Sequence, residues 1–219
     1  MDQFTPDAAV KLVRNNLDEL DMNGSAMYDT DNDNNSLDNT IKRHLPEAIN
    51  AVHMAAPTRL LEGENATDKI EGLGYNRLAE GVWSYDFAID DPAYLRLVAM
   101  ASSANPLYVV TEVQPMGGVS SRKQLNPYIR GRYDRPRLVQ YPPNGTPEFC
   151  FYSFKSQNDK ISSLFIIRRQ DYDASATGYN YSPRLKQNIV DCLTAKVLET
   201  FGDQRAQSFY QRAYTFPTI

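Results

Sequence analysis

Three aspartates at alternate positions, Asp29, Asp31 and Asp33, open the stretch MYDTDNDNNSLDNT in the manner of a calcium-binding loop. Such a loop gathers carboxylates and carbonyls around a hard cation. A start at Asp29 needs glycine at the sixth position for the sharp turn and a bidentate glutamate at the twelfth. The chain supplies Asn34 and Thr40 there, and a start at Asp31 gives Ser36 and Lys42. The stretch therefore reads as a hydrated, turn-rich loop, because Asp and Asn bond their own backbone. The only histidines, His44 and His53, are separated by ~900° of rotation on a continuous helix, which sets them on opposite faces. They share a metal only if Pro46 bends that helix strongly. Cys150 and Cys192 have no cysteine or histidine close in sequence, and neither a G-x-S-x-G elbow nor a P-loop occurs. GLGYNR, from Gly72, starts like a dinucleotide loop but has Arg77 where the third glycine belongs. The acids of the first forty residues read as a solvated face rather than a paired acid and base. The expectation is a chain without catalytic residues, metal or cofactor.

A basic cluster is the stronger signal. RKQLNPYIRGRYDRPR, residues 122–137, sets Arg122, Lys123, Arg130, Arg132, Arg135 and Arg137 against Asp134 alone, with Tyr128, Tyr133 and Tyr141 among or beside them. Arginine on phosphate and tyrosine stacked on bases would make a nucleic-acid contact. Tyr and Arg are also the residues most enriched at protein interfaces. The whole chain is mildly acidic, with a net charge of −4, so a general nucleic-acid coat is not expected. The favoured reading makes Arg122, Arg130, Arg132, Tyr133, Arg135 and Arg137 an interface whose complement is the acidic N-terminal part of a neighbouring copy. A nucleic-acid-binding module using the same stretch is the alternative, and a solvated charged loop is the plainest one.

The elements that must position this cluster follow from periodicity. At 219 residues the chain is long enough for one sizeable core or one domain with an insertion, and fourteen tyrosines suit interfaces. No apolar run approaches the ~20 residues that span a bilayer, so no membrane partner is expected. The acidic N-terminus is unlike an export signal, and two cysteines suit reduced thiols, as in a soluble protein made in the cytoplasm. Thr5-Pro6-Asp7 begins a helix carrying Val10, Val13, Leu17 and Leu20 on one stripe. Ser36 caps a second, with Leu37, Ile41, Leu45, Ile49 and Val52, which Pro46 should kink or restart. Residues 62–81 read as a glycine-rich linker. WSYDFAI then alternates Trp83, Tyr85, Phe87 and Ile89 on one face of a strand. Leu95, Leu97 and Ala99 share a face of the next, PLYVVTEV is a third strand, and FCFYSFK and SSLFIIRR are two more. Ser182-Pro183 starts a long helix with Leu185, Ile189, Leu193, Val197 and Phe201, and a short last helix follows. The expected fold is α+β: a helical bundle made by residues 1–61 and 182–219, interrupted by an inserted antiparallel β-rich segment at 62–181.

With that order of elements the chain resembles the head-to-tail connector proteins of tailed bacteriophages, the adaptor or ring proteins below the portal. The phrases that carry the resemblance are LDNTIKRHLPEAINAVHMAAP, WSYDFAIDDPAYLRLVAM and SPRLKQNIVDCLTAKVLETFGDQRAQSFYQRAY. The tyrosine-rich, arginine-bearing middle is similar to the ring proteins of crAss-like short-tailed phages. The likeness runs along nearly the whole chain, through element order and short phrases rather than an invariant motif. Its middle segment is longer than in compact adaptors. The resemblance implies a structural, non-enzymatic virion protein at the head–tail junction. It would form a dodecameric ring on the portal, carry further tail or ring proteins, and let double-stranded DNA pass during genome ejection. Such a ring needs heterologous interfaces between identical subunits, and an acidic subunit leaves its lumen negative. The C-terminal tail of the family often docks on the portal, which here implicates Phe209, Tyr210, Tyr214 and Phe216. The same aromatics equally suit burial against the chain's own helices.

Overall fold

A computed structural model describes residues 1–17, 37–115, 124, 126, 128, 130–141 and 146–217. The chain divides into two compact units, one made of Met1–Glu62 and Arg169–Ile219 and the other of Gly63–Arg168.

In the first unit the helical stripes become the core. Helix α1 (Pro6–Leu17) starts where the Ala8 amide donates to Thr5 Oγ1 at 3.3 Å, and it buries Val10, Val13 and Leu17. Helix α2 (Leu37–Ala55) buries Leu37, Ile41, Leu45, Ile49 and Val52. It runs through Pro46 without restarting, because Leu45, Pro46, Ala48 and Ile49 are all packed, and that burial outweighs one missing main-chain hydrogen bond. A 3-10 turn at Pro183–Leu185 leads into helix α3 (Lys186–Thr200), which buries Ile189, Leu193 and Val197 and packs on both α1 and α2. Phe201 falls outside the stripe and is exposed, since Gly202, at φ +71°, turns the chain just after it. Helix α4 (Ala206–Ala213) folds back on α3. The unit also holds a sheet: β1 (Asp2–Phe4) pairs antiparallel with β11 (Tyr179–Tyr181), Phe4 facing Tyr179 and Asp2 facing Tyr181.

The second unit is two sheets. One has four strands in the order β2 (Glu64–Asn65), β10 (Ile161–Arg168), β5 (Tyr94–Ser102) and β6 (Asn105–Val110). The other has five, in the order β3 (Ile70–Ala79), β4 (Val82–Ile89), β9 (Glu148–Phe154), β8 (Arg137–Gln140) and β7 (Val113–Pro115). Their shared core contains Phe87, Ile89, Leu138, Phe149 and Phe151 from the larger sheet and Leu97, Met100, Leu164 and Ile166 from the smaller. Trp83 and Tyr85 pack against it, so the alternating face of β4 points inward throughout. On β5 the face changes along the strand. Phe165 lies opposite Ala99 and Ile166 opposite Leu97, so Val98 is an extra residue, and this bulge turns both Leu97 and Met100 into the core. Arg168 closes the open end of β10, donating from Nε to Asp91 at 2.7 Å and from Nη1 to Glu64 at 2.6 Å.

The expected helical bundle with an inserted antiparallel segment is therefore corrected. The chain is a mixed α/β protein with four α-helices and eleven strands in three sheets among the described residues. Three features overturn the expectation. The helix-bearing unit has a sheet of its own, the supposed linker at 62–81 supplies β2 and the ten-residue β3, and β7 runs parallel to β8. The PLYVVTEV strand is divided as well. Its first part, β6, joins the smaller sheet and its second part, β7, joins the larger one.

Candidate interaction surface

The arginine–tyrosine segment is built as a braced loop at one end of the β unit. Asn126 starts it, its side-chain oxygen accepting the Tyr128 amide at 2.9 Å and its carbonyl accepting the Arg130 amide at 2.9 Å. Arg132 and Arg135 exchange main-chain bonds of 3.2 and 3.1 Å across Tyr133-Asp134, a tight turn that leads into β8. Gly131 is buried, and its amide donates to Gln124 Oε1 at 2.7 Å. Only glycine fits there, because a Cβ would lie 2.6 Å from Tyr152 Cβ and 2.8 Å from Arg137 Cβ. Gly131 is thus pressed against β8 and β9.

The arginines partly hold the loop itself. Arg135 Nη2 donates to the Tyr128 carbonyl at 2.6 Å, and Arg130 Nη1 donates to the Leu78 carbonyl at 3.3 Å. Arg132 Nε is 3.6 Å from Asp134, an ion pair too long for a hydrogen bond. The buried Nε atoms of Arg130, Arg132 and Arg135 have no hydrogen-bond acceptor among the described residues. Arg137 is exposed at the start of β8. Between these guanidinium groups Tyr128 stands 84% exposed, and Tyr133 is exposed beneath Lys155, whose Nζ is 4.0 Å from the ring centre. Asn105, the first residue of β6, donates from Nδ2 to the Tyr133 carbonyl at 2.9 Å. Arg130, Arg132, Tyr133, Arg135 and Arg137 are thus brought onto one surface, while Arg122 and Lys123 lie outside the described residues. Sequence reasoning missed Lys155, Asn105 and Gln124, which stand far from the cluster or at its edge and bear no signal of their own.

The C-terminal aromatics sit on the other unit. Phe209 is buried, with the Arg212 guanidinium 3.9 Å over its ring. The Tyr210 hydroxyl donates to Glu199 Oε2 at 2.6 Å, and burial together with that carboxylate raises its pKa. The Tyr214 hydroxyl is 4.0 Å from Cys192 Sγ, its pKa pushed up to about 12 by burial and the neighbouring thiol. Asn188 on α3 donates to the carbonyls of Ala213 at 2.8 Å and Thr215 at 3.0 Å. Phe216 is half-buried.

The other candidates for chemistry are spread apart. The imidazole of His44 bonds Glu47 at 3.1 Å, whereas His53 is fully buried and accepts the Ser182 amide at 3.2 Å. Cys150 is buried beside Asp86, and burial and that carboxylate push its thiol up to about 12, far from a thiolate at neutral pH. Gly72 lies in β3, where a Cβ would strike the Tyr85 hydroxyl, so GLGYNR is strand rather than phosphate loop. Asp29, Asp31 and Asp33 lie outside the described residues. Among the described residues no three His, Cys, Asp or Glu side chains are grouped to hold a metal, and no helix is long and apolar enough to cross a membrane. Set against known proteins, the chain matches no family model and no curated protein.

Proposed function

We propose that the protein is a structural assembly subunit that works by contact rather than catalysis, through the arginine–tyrosine end of its β unit. The observation that carries this reading is the braced loop. Arg130 and Arg135 spend hydrogen bonds on the carbonyls of Leu78 and Tyr128, and in doing so hold Tyr128 and Tyr133 out to solvent. Rigid aromatic side chains beside arginine make strong interface anchors, because little conformational entropy is lost on docking. The guanidinium of exposed Arg137 favours a partner rich in carboxylates or carbonyls. The mild net acidity of the chain weighs against a nucleic-acid module.

The form of assembly follows from the sequence resemblance: a dodecameric connector ring between a phage portal and its tail proteins. Tyr214 and Phe216, both less buried than Phe209, are then the aromatics that reach the portal. The test is the absolute mass of the purified chain, alone and mixed with portal protein, by light scattering. A ring-sized species, or a complex formed with portal, is expected. A chain that forms neither overturns the connector reading. Salt-sensitive DNA binding that vanishes in R130A/R132A/R135A would put the nucleic-acid module in its place.

A further inference from the structure

Among the described residues β6 is the outermost strand of the four-stranded sheet, paired on one side only, with β5. It is unusually bare. Leu107 is 94% exposed, and Tyr108 and Val109 are each 49% exposed. Its pairing with β5 is irregular: Asn105 faces Ser102 and Val110 faces Met100, so Pro106–Val109 stand against Ala101 alone and bulge out with their apolar side chains toward solvent. Natural edge strands are guarded by lysines, bulges or covering segments. Here the guards are Pro106 and that irregular pairing, and the residues from Leu107 to Val110 carry no charge.

We propose that two copies of the chain pair through β6, antiparallel about a two-fold axis at Tyr108, so that the two smaller sheets become one. The chemistry of the strand selects a second copy as the occupant. Residues 105–111 are uncharged, so no like charges meet. A register centred on Tyr108 sets Leu107 of each copy opposite Val109 of the other, apolar against apolar. The charges flanking the strand are complementary in the same register. At its start Asn105 is tied to Tyr133, in the loop that carries Arg132 and Arg135 beneath Lys155, and past its end lies exposed Glu112. Antiparallel pairing sets Asn105 opposite Thr111, so Glu112 of each copy comes beside the basic end of the other. A parallel pair would bring the two basic ends together. An isologous contact of this kind is complete at two copies, which caps the edge instead of extending it. The pairing concerns the free protein and holds whether or not the chain joins a portal.

Sedimentation velocity on the full chain without portal tests it, over about 2–200 μM, because a single strand pair is smaller than a standard interface and binds in the micromolar range. The expected result is a shift from single to double mass across that range. L107K/V109K sets lysine opposite lysine on both sides of the axis and should weaken the dimer at least tenfold. L107K/V109E sets the introduced lysine opposite the introduced glutamate and should restore the dimer in a salt-sensitive way. Both positions are exposed, and far-UV circular dichroism checks that each variant is folded. A single mass for the parent chain at every concentration, or a dimer indifferent to L107K/V109K, overturns the proposal. Loss without restoration in L107K/V109E overturns the antiparallel register.

Discussion

Replacing Gly131 by alanine asks whether the arginine–tyrosine loop is held down as the geometry implies. The added methyl would sit 2.6 Å from Tyr152 Cβ, 2.8 Å from Arg137 Cβ and 3.0 Å from Arg137 Cγ. Favourable carbon contacts begin near ~3.5 Å, so something must retreat by ~1 Å. Arg137 and Tyr152 stand opposite each other in the β8–β9 ladder and cannot give, so the loop must lift. Lifting strains or breaks the 2.7 Å bond from Gly131 to Gln124, at about 1 kcal/mol, and the overpacking adds about 1–2 kcal/mol. The expected destabilisation is about 2–3 kcal/mol, a fall in Tm on the order of 5–10 °C. Hydrogen exchange should quicken across 126–137 while β4 and β9 stay protected. Gly81→Ala is the control. There φ is +64° and no atom is within 4 Å, so backbone strain of about 1 kcal/mol should leave the loop untouched. A Gly131→Ala protein that melts like the parent, with unchanged exchange at 126–137, would refute the docking of the loop.

Arg168→Ala removes the guanidinium from Asp91, whose side chain is only 6% exposed. A fully buried pair would cost about 3–5 kcal/mol to break, but Arg168 and Glu64 keep partial solvent access, so about 2 kcal/mol is expected from urea unfolding at pH 7. Burial alone would raise the Asp91 pKa, yet the bonds from Arg168 and the Ala93 amide outweigh it and hold the carboxyl below 3.8. The stability this contributes is therefore complete above that value and drains away as pH falls through the lowered one, and the parent-to-variant difference should shrink at pH 3. Asn188→Ala leaves the Ala213 and Thr215 carbonyls without their buried donor, and should cost about 2–3 kcal/mol while quickening hydrogen exchange over 206–215. Cys150 and Cys192, both buried with raised pKa values, should resist iodoacetamide at pH 8 in the folded chain and both react once it is denatured.

The helices were readable because each packs one face, so burial imposes a period that short-range sequence records. Val10, Val13, Ile41, Leu45, Ile49, Ile189, Leu193 and Val197 are all buried where that period puts them. Strand β4 was readable for the same reason at period two. Strand β3 was not, because as an edge strand it has no buried face to alternate, and its glycines answer to partners elsewhere. Gly72 makes room for the Tyr85 hydroxyl, and Gly74 adopts φ +153° at a register shift. Nor did β1 and β11 announce themselves, being three residues each and defined only by one another. The bulge at Val98 on β5 is defined by the pairing with β10, a partner far along the chain that local alternation does not record. For the candidate surface, residue types pointed to the cluster, but the bracing of Arg130 and Arg135 on carbonyls depends on the chain path. The bareness of β6 was hidden too, since PLYVVTEV reads like any interior strand until its neighbours are known.

The pairing of Asp2 with Tyr181 also sets a timetable for vectorial synthesis. A ribosome adding about 5–20 residues each second makes β1 roughly ten to forty seconds before the strand that completes it. The β unit, one uninterrupted stretch of chain, has all its strands available first. Until α3 emerges, α1 and α2, with buried Val10, Val13, Ile41 and Ile49, lack the helix on which both of them pack. The helix-bearing unit is thus closed by its last-made segment. Its apolar stripe is a natural client for a chaperone that binds nascent chains during that interval.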